Sequence, residues 1–180
     1  TWGWAQGVYI NERDGEAANS EPLREVQPYI KRAEKRGATI KYSFETHFHA
    51  DFVSSHVELA KKTGAPIVYG STTMKIGFDA VIGKDGQIFE IGKAKIKLIH
   101  TPGHTMESSC YLLIDEEGKE EAIFTGDTLV IGDVGRPDLA QHVVADLTQE
   151  ILAGHLHESL PNNIMRLNDY SFVYPAHGAG

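Results

Sequence analysis

The eight residues Glu45-Thr46-His47-Phe48-His49-Ala50-Asp51-Phe52 constrain this chain more than any other part of it. They bring two imidazoles and a carboxylate together within a single short turn. They follow Ile40-Lys41-Tyr42-Ser43-Phe44, where Ile40, Tyr42 and Phe44 alternate with polar residues in the period-two pattern of a half-buried strand. A helix-like run begins just afterwards, near Ser54-Ser55. The cluster therefore lies at the C-terminal end of a strand, where open α/β sheets place their ligands. In an extended turn alternate side chains point the same way, so His47, His49 and Asp51 can converge on one point. Neutral imidazole and carboxylate are common ligands of zinc and iron. A merely solvated polar loop would carry the same residue types. What weighs against that reading is the recurrence of ligand-type residues downstream.

Before the cluster, Trp2, Trp4, Val8, Tyr9 and Ile10 suggest an opening strand with a turn over Asn11 to Gly15. Val26, Tyr29, Ile30 and Ala33 fall at helical spacing, with Pro28 in the first turn and Gly37 placed to end the helix. After the cluster, Ser55-His56-Val57-Glu58 has the form of a capping box, and Lys61, Lys62 and Gly64 close that helix. His56 reads as a helix-start residue. Ile67-Val68-Tyr69 reads as a short strand, and Gln87 to His100 as a hairpin leading into Thr101-Pro102-Gly103-His104-Thr105. Proline and glycine forbid a regular helix there, so His100 and His104 are not stacked partners. A strand pair, Tyr111 to Ile114 and Ala122 to Phe124, delivers Asp127 past Gly126. Leu152, Leu156 and Leu160 share one face of a helix from Thr148 to Leu160. His155 and His157, two apart on that helix, cannot chelate together. They and His142 read as structural or surface residues. Phe172-Val173-Tyr174 is a last strand, feeding Pro175-Ala176-His177-Gly178.

At 180 residues the chain is long enough for one domain, 1–180, with a substantial core. No apolar run of about 18 residues is present, so no membrane span is expected. No signal peptide is visible. The net charge of −8 argues against a nucleic-acid partner. Cys110 is the only cysteine, which rules out an intrachain disulfide and fits a cytoplasmic setting. Its apolar flanks point to a buried structural thiol.

Thr46-His47-Phe48-His49-Ala50-Asp51 resembles the T-H-x-H-x-D signature of the metallo-β-lactamase superfamily. The longer string from Glu45 to His56 is similar to the persulfide dioxygenase (sulfur dioxygenase) branch, some members of which carry a C-terminal rhodanese domain. The resemblance runs from about Pro22 to Gly180. It implies an α/β fold, the four-layer αβ/βα sandwich, with dimers common in the family. Thr101 to Thr105 is similar to the third ligand motif, so His104 is the implied ligand, and Phe124 to Asp127 to the next, so Asp127 is. His177 is the implied last active-site histidine. Gly132 to Asp138 closely matches the dioxygenase branch, with Arg136 placed either to hold the loop against Asp138 or to contact an anionic substrate. One stretch departs from the pattern: the family strand ends Ile-Asp-Pro, its aspartate lying beneath the metal site, and here Ser20-Glu21-Pro22 stands instead. Glu21 keeps the carboxylate on a side chain one methylene longer.

The two-metal hydrolases of the superfamily carry H-x-H-x-D-H, and the final histidine is Phe52 here. That leaves His47, His104 and Asp127, the composition of the non-haem Fe(II) facial triad. The resemblance then implies one Fe(II) per chain, with zinc as a substitute, and His49, Asp51 and His177 as groups that orient ligands and water. The implied reaction is oxidation of a low-molecular-weight thiol persulfide by O₂ to sulfite. The rival readings are a zinc-dependent, glyoxalase II-like thioester hydrolase and a non-catalytic metal-binding scaffold.

Overall fold

The computed structural model describes residues 5–6, 9–72, 74–139 and 147–178. Trp2, Trp4, Val8 and His142 lie outside them. In chain order the elements are β1 (Ala5–Gln6), β2 (Tyr9–Arg13), β3 (Glu16–Ser20), α1 (Gln27–Lys35), β4 (Thr39–Phe44), α2 (His56–Thr63), β5 (Ile67–Tyr69) and β6 (Val81–Ile82). Then come β7 (Ile88–Ile91), β8 (Ala94–His100), β9 (Ser109–Ile114), β10 (Glu120–Gly126), β11 (Leu129–Val130), β12 (Asp133–Val134), α3 (Gln149–Ser159), β13 (Phe172–Pro175) and β14 (His177–Gly178). No helix among the described residues is long and apolar enough to cross a membrane.

Two five-stranded sheets, ordered β2-β3-β4-β5-β6 and β13-β10-β9-β8-β7, face each other. Between them Phe44 and Val68 of the first sheet meet Phe89, Leu98, Tyr111 and Phe124 of the second. The outer face of the first sheet packs Ala17 and Ile40 against Tyr29 and Ala33 of α1 and Leu59 of α2. The outer face of the second packs Ile99, Leu112 and Ile123 against Ile164, just beyond α3. Three apolar seams separate four layers, αβ/βα. Neighbours along a strand go to different seams, as the pleat requires: Ala17 faces the helices and Ala18 the other sheet.

Local chemistry explains where the elements depart from the patterns in the sequence. The first turn is tighter than the expected one: β2 runs through Asn11 to Arg13, and only Asp14 (φ 51°) and Gly15 (φ 78°) form the loop. An Asp-Gly pair with both φ positive is the favoured two-residue hairpin turn. In β4 the alternation breaks, because Ile40 faces the helices while Tyr42 and Phe44 face the other sheet. The β3–β4 register shifts between Ala17 and Ala18, and this bulge turns Ile40 to the opposite side. The capping box at α2 does not form, since the Ser55 side chain makes no cap hydrogen bond. Ser54 Oγ accepts from the His56 backbone N–H instead, at 3.2 Å. At α3, Thr148 does cap, accepting from the Ile151 N–H.

Candidate metal centre

Four strand ends supply the site. His47 follows β4, His104 sits between β8 and β9, Asp127 follows β10, and His177 opens β14. Backbone hydrogen bonds hold these loops together, from the Ser109 N–H to the Thr46 carbonyl and from the Ala176 N–H to the Gly126 carbonyl, each 2.9 Å. Gly126 has φ +53°, and a Cβ there would run into the Thr46 side chain. The turn into Asp127 therefore needs glycine both for its backbone angle and for its close approach to Thr46, the residue before His47.

His47, His104 and Asp127 come together with their ligand atoms all within 4.8 Å of one another. His47 Nε2 lies 3.8 Å and His104 Nε2 3.6 Å from Asp127 Oδ2. Both are too long for hydrogen bonds. Ligands sit about 2.0–2.2 Å from a zinc or similar ion, so neighbouring donors lie roughly 3–3.5 Å apart, a few tenths of an ångström less than seen here. The Nδ1 atoms are held from behind. His104 Nδ1–H donates to the Arg136 carbonyl at 3.1 Å, and His47 Nδ1 pairs with Thr46 Oγ1 at 2.9 Å. With Nδ1–H engaged in this way, each Nε2 presents its lone pair to the shared point. Burial, reinforced by the positive His49 beside it, pushes the His47 pKa down to about 3, so its ring is neutral and ligand-ready. Burial works against a charge on Asp127, yet the His177 hydrogen bond and the surrounding histidines hold its carboxyl below the usual range. The donor set therefore fits one divalent ion.

The other members of the expected site point elsewhere. His47, His49 and Asp51 do not meet at one point. His49 stays beside the trio, its ring centroid 4.1 Å from that of His47, but its Nε2 hydrogen-bonds Glu21. Its ring packs on Phe52, centroids 4.3 Å apart. Asp51 lies out at the exposed rim and accepts from His177 Nε2 at 3.0 Å. His177 Nδ1 meets the two Asp127 oxygens at 2.7 and 2.8 Å, so His177 bridges the two aspartates. The Asp127 hydrogen bond, outweighing burial, raises the His177 pKa. Arg136 forks onto Asp138, with Nε 3.1 Å from Oδ1, and its side chain is largely exposed. His56 opens α2 with Nδ1 2.9 Å from Glu45 Oε1, and His100 ends β8 with Nε2 on the Met106 carbonyl.

The longer side chain at position 21 does reach. Glu21 is buried with φ 55°, a left-handed conformation unusual for a residue with a Cβ, and its Oε1 accepts the Thr46 N–H at 2.7 Å. Two buried carboxylates escape the sequence reading. Glu45 is fully buried, and Glu107 accepts the Phe48 N–H at 2.9 Å. Glu45 gave no periodic signal, because it falls one residue out of phase with Tyr42 and Phe44. Cys110 is buried, and burial raises its pKa to about 11.

The pattern of the metallo-beta-lactamase superfamily matches residues 14–177. The chain is 38% identical over 132 residues to a hydroxyacylglutathione hydrolase of Brucella anthropi, covering 72% of this chain and 49% of that protein. It is 30% identical over 173 residues to a probable hydroxyacylglutathione hydrolase of Schizosaccharomyces pombe, covering 94% and 62%. The chain thus spans about half the length of such relatives. Among solved structures, a metallo-beta-lactamase from Staphylococcus aureus subsp. aureus COL superposes with a TM-score of 0.85 at 34% identity, covering 97% of this chain and 53% of that one. ETHE1 from Myxococcus xanthus superposes with a TM-score of 0.79 at 26% identity, covering 98% and 76%. A sandwich whose strand ends gather two histidines and an aspartate, matched from the first hairpin to the last histidine, places this chain in the metallo-beta-lactamase superfamily.

Proposed function

We infer that the chain is a mononuclear non-haem iron persulfide dioxygenase. The observation that carries this is the makeup of the trio: two imidazoles and one carboxylate face each other, while Glu21 engages the Nε2 of His49 and a phenyl ring, Phe52, lies against its imidazole. Two-metal hydrolases of the superfamily have a histidine where Phe52 stands, and an apolar ring cannot ligate. Two histidines and one carboxylate are the donor set of Fe(II) oxygenases. The likeness to ETHE1 supports the same branch.

His47, His104 and Asp127 would hold Fe(II), with zinc as a substitute. When bound, the iron supplies the redox chemistry by which O₂ oxidises the sulfane sulfur. The balanced change is R–S–SH + O₂ + H₂O giving R–SH, sulfite and two protons. The chain's own part is geometric. Thr46 and the Arg136 carbonyl fix the two ligand rings, and His177 orients the Asp127 carboxylate. His177 Nε2, at the rim beside Asp51, is placed to hand a proton to the departing thiolate. Arg136 would hold the loop through its fork on Asp138, or meet an anionic carrier thiol such as glutathione or coenzyme A.

A second reading has its own support. Relatives named hydroxyacylglutathione hydrolase suggest thioester hydrolysis by two zinc ions, the second on Asp51, Asp127 and His177. Metal analysis of anaerobically prepared protein, with oxygen uptake and sulfite release from glutathione persulfide, separates them. One iron per chain and sulfite formation are expected. Two zinc ions with cleavage of an acyl-glutathione thioester would overturn the dioxygenase reading.

A further inference from the structure

The two ligand histidines follow strands of different sheets, and one buried carboxylate spans the gap between their loops. Glu107 lies three residues after His104 and is only 5% exposed. Its Oε1 accepts the N–H of Phe48, the residue after His47, at 2.9 Å. Two residues beyond Glu107, the Ser109 N–H donates to the carbonyl of Thr46, the residue before His47, also at 2.9 Å. These two bonds grip the peptide planes on either side of His47. A residue has only two soft backbone torsions, and the orientations of its flanking planes set them. Both torsions of His47 are thus held by the segment 107–109.

The same segment is tied as closely to His104. The Thr101 N–H donates to the Ser108 carbonyl at 2.8 Å, the Thr105 N–H to Ser108 Oγ at 3.1 Å and the Gly103 N–H to the Thr105 carbonyl at 2.9 Å. The loop 101–108 is therefore closed on itself, with His104 inside it. Ser109 Oγ donates to the Glu107 carbonyl at 3.1 Å and fixes the root of the Glu107 side chain. No slack loop is left to absorb a shift between the two histidines. Their rings stand edge-on, with centroids 4.9 Å apart.

We propose that Glu107 is a positioning residue: through its bond to the Phe48 N–H it sets the spacing of His47 and His104, and so the fit of the trio to its ion. Water does not readily replace an acceptor removed from so buried a place, so the loss of this oxygen leaves the peptide after His47 unheld. The role needs an oxygen at that reach and not a negative charge, which distinguishes it from charge balance. It rests on the trio holding an ion and is independent of the reaction that follows.

The test is a titration of metal-free protein with Co(II), whose visible absorption follows the geometry of its ligands. Glu107→Gln keeps an oxygen in place and should match the unaltered protein in both affinity and spectrum. Glu107→Ala should weaken cobalt binding about 10- to 100-fold, as loss of a ligand's support does, and shift the absorption bands. Glu107→Asp keeps the charge but falls one methylene short, and should behave as the alanine variant does. It also covers the case in which the alanine variant fails to fold. A glutamine variant as damaged as the alanine one would overturn the proposal, because the carboxylate would then act through its charge. So would alanine and aspartate variants that melt earlier yet bind cobalt with unchanged affinity and spectrum, since Glu107 would then only brace the fold. Unaltered protein that takes up no cobalt would remove the trio itself. Protein that binds cobalt as expected but oxidises no persulfide would refute the dioxygenase reading and leave this one standing.

Discussion

Each ligand histidine is usable because a neighbour holds its far nitrogen. Thr46 Oγ1 pairs with His47 Nδ1 at 2.9 Å. Thr46→Val keeps the shape and removes this bond. It is expected to weaken metal binding at the trio about 10- to 100-fold, read by competition with a chromophoric chelator. Cys110 illustrates the reverse case, a reactive residue type made inert. A thiol in an unfolded chain titrates near 8.5, roughly, whereas burial raises Cys110 to about 11. At pH 8 the native thiol is therefore protonated and enclosed. Disulfide reagents should label it only as fast as the protein opens, and immediately in denaturant. Labelling of the folded protein within seconds would contradict this.

The elements differ in how firmly their ends are fixed. Thr148 caps α3 through the Ile151 N–H, whereas Ser55 makes no cap bond at α2. Thr148→Ala should cost about 1 kcal/mol in urea unfolding and Ser55→Ala distinctly less, the reverse of what the Ser-x-x-Glu pattern suggests. The loop before His104 depends on α3 in another way. Gly103 has φ +145°, and a Cβ there would strike the backbone of Leu156. Gly103→Ala is expected to destabilise the fold by about 2 kcal/mol or more, through both the backbone angle and the collision. It should also lower metal affinity, because His104 is the next residue. Measuring unfolding and metal content on the same variant checks both.

At the scale of the molecule, the trio draws on both sheets. His47 extends the first, while His104 and Asp127 extend the second. An ion held there clips the two sheets together at one end. Tyr111 links them further in, its hydroxyl donating to the Glu45 carbonyl at 2.9 Å. Chelation should therefore lower the melting temperature, with a loss of about 4 kcal/mol when free metal stood at a thousand times its dissociation constant. Equal melting curves with and without chelator would contradict a site that bridges the sheets.

Strand and helix positions were legible in the sequence because burial on one face imposes a period, and the ligand motifs because few residue types bind metals. The period survives in β8, where Ile96 and Leu98 are buried and Lys95 and Lys97 between and beside them are not. It fails in β4, where a bulge, created by pairing with a distant strand, sends Ile40 to the helices. The capping pattern at α2 fails because Ser55 and Ser54 meet partners brought in by folding. The same limit applied to His49 and Asp51. Spacing placed them beside His47, yet only the packed interior, with Glu21, Glu45 and Phe52 on one side and His177 on the other, decided where each would point. A chain specifies its local preferences through short-range sterics and solvation, whereas the direction of a buried charged side chain follows from which opposite charges the whole fold encloses with it.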